Sequence, residues 1–231
     1  METILQYLLY LHIAAGSLAL ITGPIAMINQ NGNTLHRNSG NIFFYSMSVV
    51  FVSSVIIALA KSLVFLLIIA FFSYHQIAVA MRALHLKKLH KRQKPLILDW
   101  CISVIAGLFN ISLLIWGIWY WMVHRTSFAG TAIVFGLIGI NFVFNDFKRY
   151  LRKPLDKNHW LYTHIAGMIG GYIATLTAFL VNVIQFNPPI VLWVAPTVIL
   201  VPFLIFTINK FKRKFNKGKE MKELAAIKIE C

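Results

Sequence analysis

The sequence predicts an all-α integral membrane protein, a bundle of seven transmembrane helices with the N-terminus outside and the C-terminus in the cytoplasm. Three observations predict it. Of the 231 residues, 58% are apolar and only 13% are charged, whereas a soluble domain carries about 25% charged residues. The formal charges are bunched, which leaves long uncharged runs between them. And 22 Lys and Arg stand against 7 Asp and Glu, a net +15, distributed unevenly about the crossings. One core of this size cannot bury so much apolar surface, so the surplus faces lipid. Disorder, which needs low hydrophobicity, is excluded.

The uncharged runs give the elements in order. Residues 3–36 hold helix 1 (4–29), 38–60 hold helix 2 (40–60), and 62–81 hold helix 3 (62–84). Residues 100–124 hold helix 4 (97–122), and 126–145 hold helix 5 (127–147). A crossing takes about 20 residues at a rise of about 1.5 Å each. The last run, 158–209, therefore holds two helices, 159–185 and 190–210. They are separated at Asn187-Pro188-Pro189, because tandem prolines remove amide donors and stop a helix. Barrel strands are excluded, since the runs do not alternate apolar and polar residues. The chain thus reads as one transmembrane domain, 1–210, followed by a basic tail, 211–231. The opening METILQYLL lacks a basic segment and a small-residue cleavage site, and reads as the first span rather than a signal peptide.

Charge sets the orientation. With the C-terminus in the cytoplasm, twenty basic residues lie inside, among them Arg37, Arg82, Lys94, Arg149, Lys153 and eight in the tail from Lys210. Only Lys61 and Arg125 lie outside. This is the positive-inside pattern of a membrane protein, and it accounts for the +15 without nucleic acid. The expected partner of the tail is the anionic headgroup layer of the cytoplasmic face.

Polar side chains within lipid are the functional candidates. They are His12 in helix 1, His75 in helix 3 and His164 in helix 6, with His36-Arg37, Asp99, Asp146 and His159 near the cytoplasmic ends and Asn110, Asn141 and Asn182 deeper. His85, His90 and His124 lie in loops and read as solvated. The bland reading of each buried His is a hydrogen bond to a neighbouring helix. Asp99 reads as a first-turn charge on the helix 4 dipole. Asp146 sits at the unfavourable end of helix 5, so it needs Lys148, Arg149, a cation or a His beside it. The sharper reading joins His75, His164, His36 and Asp146, all in the cytoplasmic half, into one metal or haem b site. His75 and His164 are the preferred axial ligands, His12 or His36 the substitutes, and Arg37 and Arg82 the partners of haem propionates. Gly167 and Gly171, on the His164 face, offer a slot for a porphyrin or for another helix.

No HExxH, GxSxG, P-loop or GxGxxG occurs. A seven-helix zinc hydrolase would want histidines on the last helix, and a retinal protein a lysine within it; the last helix has neither until Lys210 at its end. Cys101 and Cys231 form no CxxC and support neither a disulfide framework nor a Cys-based zinc site.

The segments LHIAAGSLALITGPIAMINQNGNTLHRNSG and HWLYTHIAGMIGGYIATLTAFLVN, followed by LWVAPTVILVPFLI, carry LHR-xx-G, H-xxx-M and W-xx-PT. In these the chain resembles an uncharacterised bacterial membrane family, domain of unknown function 2306. The resemblance covers both ends of the chain, implies a polytopic inner-membrane protein and includes His12, His36, Arg37, Gly40, His164 and Met168. It implies no activity. Three functions remain open: a haem or metal redox protein, a carrier or channel for a proton or small solute along His12, Asn110, Asn141, Asn182 and His75, and a non-catalytic membrane component.

The charge split generates a topology test. A reporter fused after Lys94 should read cytoplasmic, and one after Asn187 external. An external signal at Lys94 would reverse the assignment.

Overall fold

The computed structural model describes residues 2–30, 32–125, 127–152, 154–188 and 190–227. Lys153, Pro189 and Cys231 lie outside them. The helices are α1 (Glu2–Ile28), α2 (Thr34–Ala60), α3 (Val64–Ala83), α4 (Ile97–His124), α5 (Ser127–Leu151), α6 (His159–Val183) and α7 (Ile190–Ile227), with a short 3-10 turn at Leu89–Lys91. Among the described residues there is no strand, and seven helices are long and apolar enough to cross a membrane. The protein is therefore all-α and, by the length and composition of its helices, an integral membrane protein.

Three boundaries depart from the sequence reading by more than two residues. Helix α2 starts at Thr34, not residue 40, because the Asn33 side chain caps it by accepting the His36 amide at 2.9 Å. His36 and Arg37 consequently lie in the first turn of a helix rather than in a loop. Helix α5 continues to Leu151. Helix α7 runs past residue 210 to Ile227 with Pro196 and Pro202 inside it. Its basic extension is rich in Lys, with Arg, Glu and Ala, which favour helix.

The chain divides into two compact units, Met1–Leu176 and Thr177–Cys231. The division falls inside α6, and α7 crosses position 210 without a break. The second unit comprises the end of α6, the turn through Pro188 and α7. All of the histidines belong to the first unit.

In the first unit α4 packs closely along α5. Arg125, in the left-handed region at φ 48°, closes α4 by donating its amide to the Trp121 carbonyl. Small residues then let the two backbones meet. A Cβ on Gly136 would stand 2.9 Å from the Leu114 main chain, and one on Gly117 would stand 3.0 Å from the Ile133 amide nitrogen. Between lipid-soluble helices no hydrophobic force acts, so close van der Waals packing of this kind holds the pair. Helix α3 packs between α2 and α4, with Tyr74 stacked on Phe51 at 4.4 Å and Phe71 on Phe109 at 3.7 Å. Helix α6 lies against α1, where Tyr172 covers Gly23, and against α3, where Gly167 meets the Gln76 carbonyl.

The α4–α5 seam yields a stability test. Gly136→Ala should destabilise the detergent-solubilised protein by about 1–3 kcal/mol through overpacking, despite the better helix propensity of alanine. Gly40→Ala, where nothing lies within 4 Å of the added carbon, should be neutral or stabilising by up to about 1 kcal/mol. Thermal unfolding of both variants measures the contrast; equal melting temperatures would show that the seam relaxes.

Candidate functional site

The bundle end where α1, α3 and α5 finish and α2, α4 and α6 begin carries most of the polar side chains. His75, from α3, is 4% exposed. Its Nε2–H donates to Asp146 Oδ2 of α5 at 2.8 Å, and Asp146 is itself 5% exposed. Ser103 of α4 donates to the same oxygen at 3.1 Å. The other carboxylate oxygen, Oδ1, accepts Arg149 Nη2 at 2.6 Å, one turn further along α5. Arg149 Nη1 donates to Thr163 Oγ1 of α6 at 2.7 Å, and that hydroxyl donates in turn to the His159 carbonyl. The Gln76 amide lies 3.4 Å from His75 Nδ1, which matches a tautomer with the proton on Nε2.

Three helices thus meet on one carboxylate, and Arg149 links it to a fourth, α6. The unfavourable position of Asp146 on the α5 dipole is answered by Arg149 and His75 together, while Lys148 is exposed. Ser103, Gln76 and Thr163 were not legible as site residues. Asp99, Ser103 and Asn110 do recur at helical spacing on one buried face of α4, and that stripe is the signal a sequence reading could use.

Seven residues beyond Ser103, Asn110 is wholly buried against Gly139, and neither its amide nitrogen nor its oxygen has a partner. Asp146 lies seven residues along α5 from Gly139, so Asn110 sits above the carboxylate on the same seam, by about 10 Å of helical rise. His159 is likewise without a partner at either ring nitrogen.

The second pair is His36 and His164. Their ring centres are 6.4 Å apart, edge to face at 72°. His36 Nδ1 is 2.9 Å from the Ala26 carbonyl of α1, and His164 Nδ1 is 3.1 Å from the Ala80 carbonyl of α3. Each ring therefore donates from Nδ1 and leaves Nε2 as the lone-pair nitrogen.

The structure does not bring His75, His164, His36 and Asp146 into one metal set; it divides them into two pairs. Ala80, which receives His164, is five residues beyond His75, about 7.5 Å along α3, so the pairs lie at different depths. Among the described residues no group of three or more His, Cys, Asp or Glu could hold a metal ion. A porphyrin between His75 and His164 does not fit either. His75 Nε2 is committed to Asp146. The slot at Gly167 and Gly171 is filled by Gln76, Ile77 and Ala80 of α3, so those glycines serve helix packing. Arg82, expected to face propionates, instead grips the fully buried Asp99 with two bonds of 2.6 and 3.1 Å. Asp99 also caps α4 by accepting the Leu96 amide, as its position in the first turn implies. Arg37 donates to the Gly32 carbonyl.

The remaining candidates take the bland reading. His12 bonds Ser53 of α2 at 3.0 Å. Asn141 and Asn182 are exposed on the outer surface of their helices, and Asn182 bonds its own helix at Ala178. The proposed chain of polar residues across the membrane therefore reduces to His75 and Asn110. His85 and His124 are exposed, whereas His90 is half-buried 6.2 Å from the His159 ring.

No family model, curated protein or solved structure matches the chain.

The carboxylate centre predicts its own cost. Asp146→Ala leaves Arg149 and His75 without their acceptor and should destabilise the bundle by about 3–5 kcal/mol, the usual loss when one partner of a buried ion pair is removed. His75→Ala combined with Asp146→Ala should cost less than the sum of the single changes, with a coupling of about 0.5–3 kcal/mol. Denaturant titration of the four proteins in detergent measures it, and additive losses would show that the two residues act independently.

Proposed function

We propose that this protein handles protons within the membrane, with His75 as the group that takes up and releases the proton and Asp146 as its counter-ion. The observation that carries this reading is the buried His75–Asp146 contact of 2.8 Å in a helix bundle of membrane-spanning length. An ionisable residue held away from water is costly, and such residues in transmembrane segments commonly mark ion or proton pathways.

The chemistry follows from the partners. Arg149 stays protonated under all ordinary conditions, so Asp146 has a positive partner whether or not His75 carries its second proton. The centre then has two satisfied states. With His75 neutral, Arg149 and Asp146 cancel. With His75 protonated, the centre carries one positive charge and the imidazolium still faces the carboxylate. Ser103 holds Oδ2 and Arg149 holds Oδ1, so the carboxylate cannot turn away as the proton comes and goes. Asn110, buried with two unbonded polar atoms on the same seam, is the next group a proton-carrying water would meet. The excess of basic residues at this end supports a centre in the cytoplasmic half of the membrane.

Proteoliposomes with a trapped pH dye test the reading. Under an imposed pH gradient the wild type should move protons faster than empty vesicles. His75→Gln and Asp146→Asn should abolish the excess, whereas His12→Ala should keep it. Proton flux no greater than that of empty vesicles, or flux unaffected by both site variants, would refute it.

A further inference from the structure

The His36–His164 pair lies outside the proton centre and has the features of a coordination site. Metal-bound imidazoles almost always donate their other ring N–H to a carboxylate, carbonyl or water, which fixes the tautomer and aims the ligating nitrogen. His36 and His164 both do so, through Ala26 and Ala80, and among the described residues no hydrogen bond reaches either Nε2. His75 spends its Nε2 on Asp146, and His12 spends its Nδ1 on the Ser53 hydroxyl. Gly40, one turn along α2 from His36, faces open space, so this face of α2 is not packed shut.

Two ligands select the metal. Zinc, iron and nickel require four or more donors, and no third His, Cys, Asp or Glu completes such a set among the described residues. Copper(I) is a soft, closed-shell ion that is content with two imidazoles in a line. Imidazole–metal bonds are about 2 Å long, which sets ring centres roughly 6 Å apart across a linear ion and roughly 5 Å apart across a tetrahedral one. The observed separation is 6.4 Å. Met168, one turn along α6 from His164, adds a thioether on the same side of the helix, and soft sulfur ligands favour copper(I).

We propose that His36 and His164 bind copper(I) through their Nε2 atoms at the bundle end where α2 and α6 begin. The full chain in detergent is titrated with copper(I) under ascorbate against a coloured chelator. One copper per chain should be withdrawn from the chelator. His36→Ala and His164→Ala should each weaken binding at least tenfold, while His75→Ala and His12→Ala should retain it. Because His75→Ala removes the proton centre, loss of proton flux with copper binding intact separates the two proposals. Folding of the variants does not limit the test: in the wild type, silver(I), a redox-inert stand-in, should protect His36 and His164 but not His85 from diethyl pyrocarbonate, read by mass spectrometry. No copper bound by the wild type, binding kept in both His36 and His164 variants, or no silver protection would overturn the proposal. A haemin absorption band lost in both variants would assign the pair to haem iron and overturn the copper assignment.

Discussion

A carboxylate inside a membrane protein must be neutralised before the helices around it can settle. Asp146 meets that requirement with partners from two other helices as well as its own. His75 reaches it from α3, Ser103 from α4 and Arg149 from α5, and Arg149 extends the link to Thr163 of α6. In lipid the alternative is an unpaired charge, so the contact sets which faces of these helices turn inward. Asp99 does the same for one turn of the structure: it caps α4 and, through Arg82, ties the end of α3 to the start of α4.

These charges can meet only because the backbones come close. Glycine supplies the approach along α4–α5, where Gly117, Gly136 and Gly139 lie against the partner helix, and along α3–α6, where Gly167 and Gly171 do. Removing the Cβ brings the Asp146-bearing helix up to Ser103 and brings Ala80 within reach of His164. Small residues therefore do in the membrane what apolar burial does in water, and they hold the polar centre at fixed geometry.

The two histidine pairs differ in what their surroundings leave available. At His75 a carboxylate holds one ring nitrogen and a side-chain amide faces the other, so both ring nitrogens have fixed neighbours. At His36 and His164 main-chain carbonyls take Nδ1 and leave Nε2 open. Imidazole chemistry is the same in both places. The hydrogen-bond partner of the second nitrogen decides whether the ring suits proton transfer or metal coordination.

The sequence by itself determined the fold class, the number of crossings and the list of polar residues at one end of the bundle. Apolar run length and the cost of charge in lipid act on local sequence alone, so 158–209 could be split at Asn187-Pro188 without knowing any contact. It also showed that Asp146 stood at the wrong end of its dipole and needed compensation. Only the tertiary structure decided which partners meet. His75 and His164 share a membrane half but not a depth, because α6 docks on α3 at Ala80, about 7.5 Å along the helix from His75. The cap at Asn33, which draws His36 into α2 and towards His164, is a short local signal, yet the 6.4 Å meeting of the two rings depends on how α2, α3 and α6 are rotated about their axes. Helical periodicity lists the residues on each face; packing between faces, set by glycine contacts and buried charge, chooses the pairs.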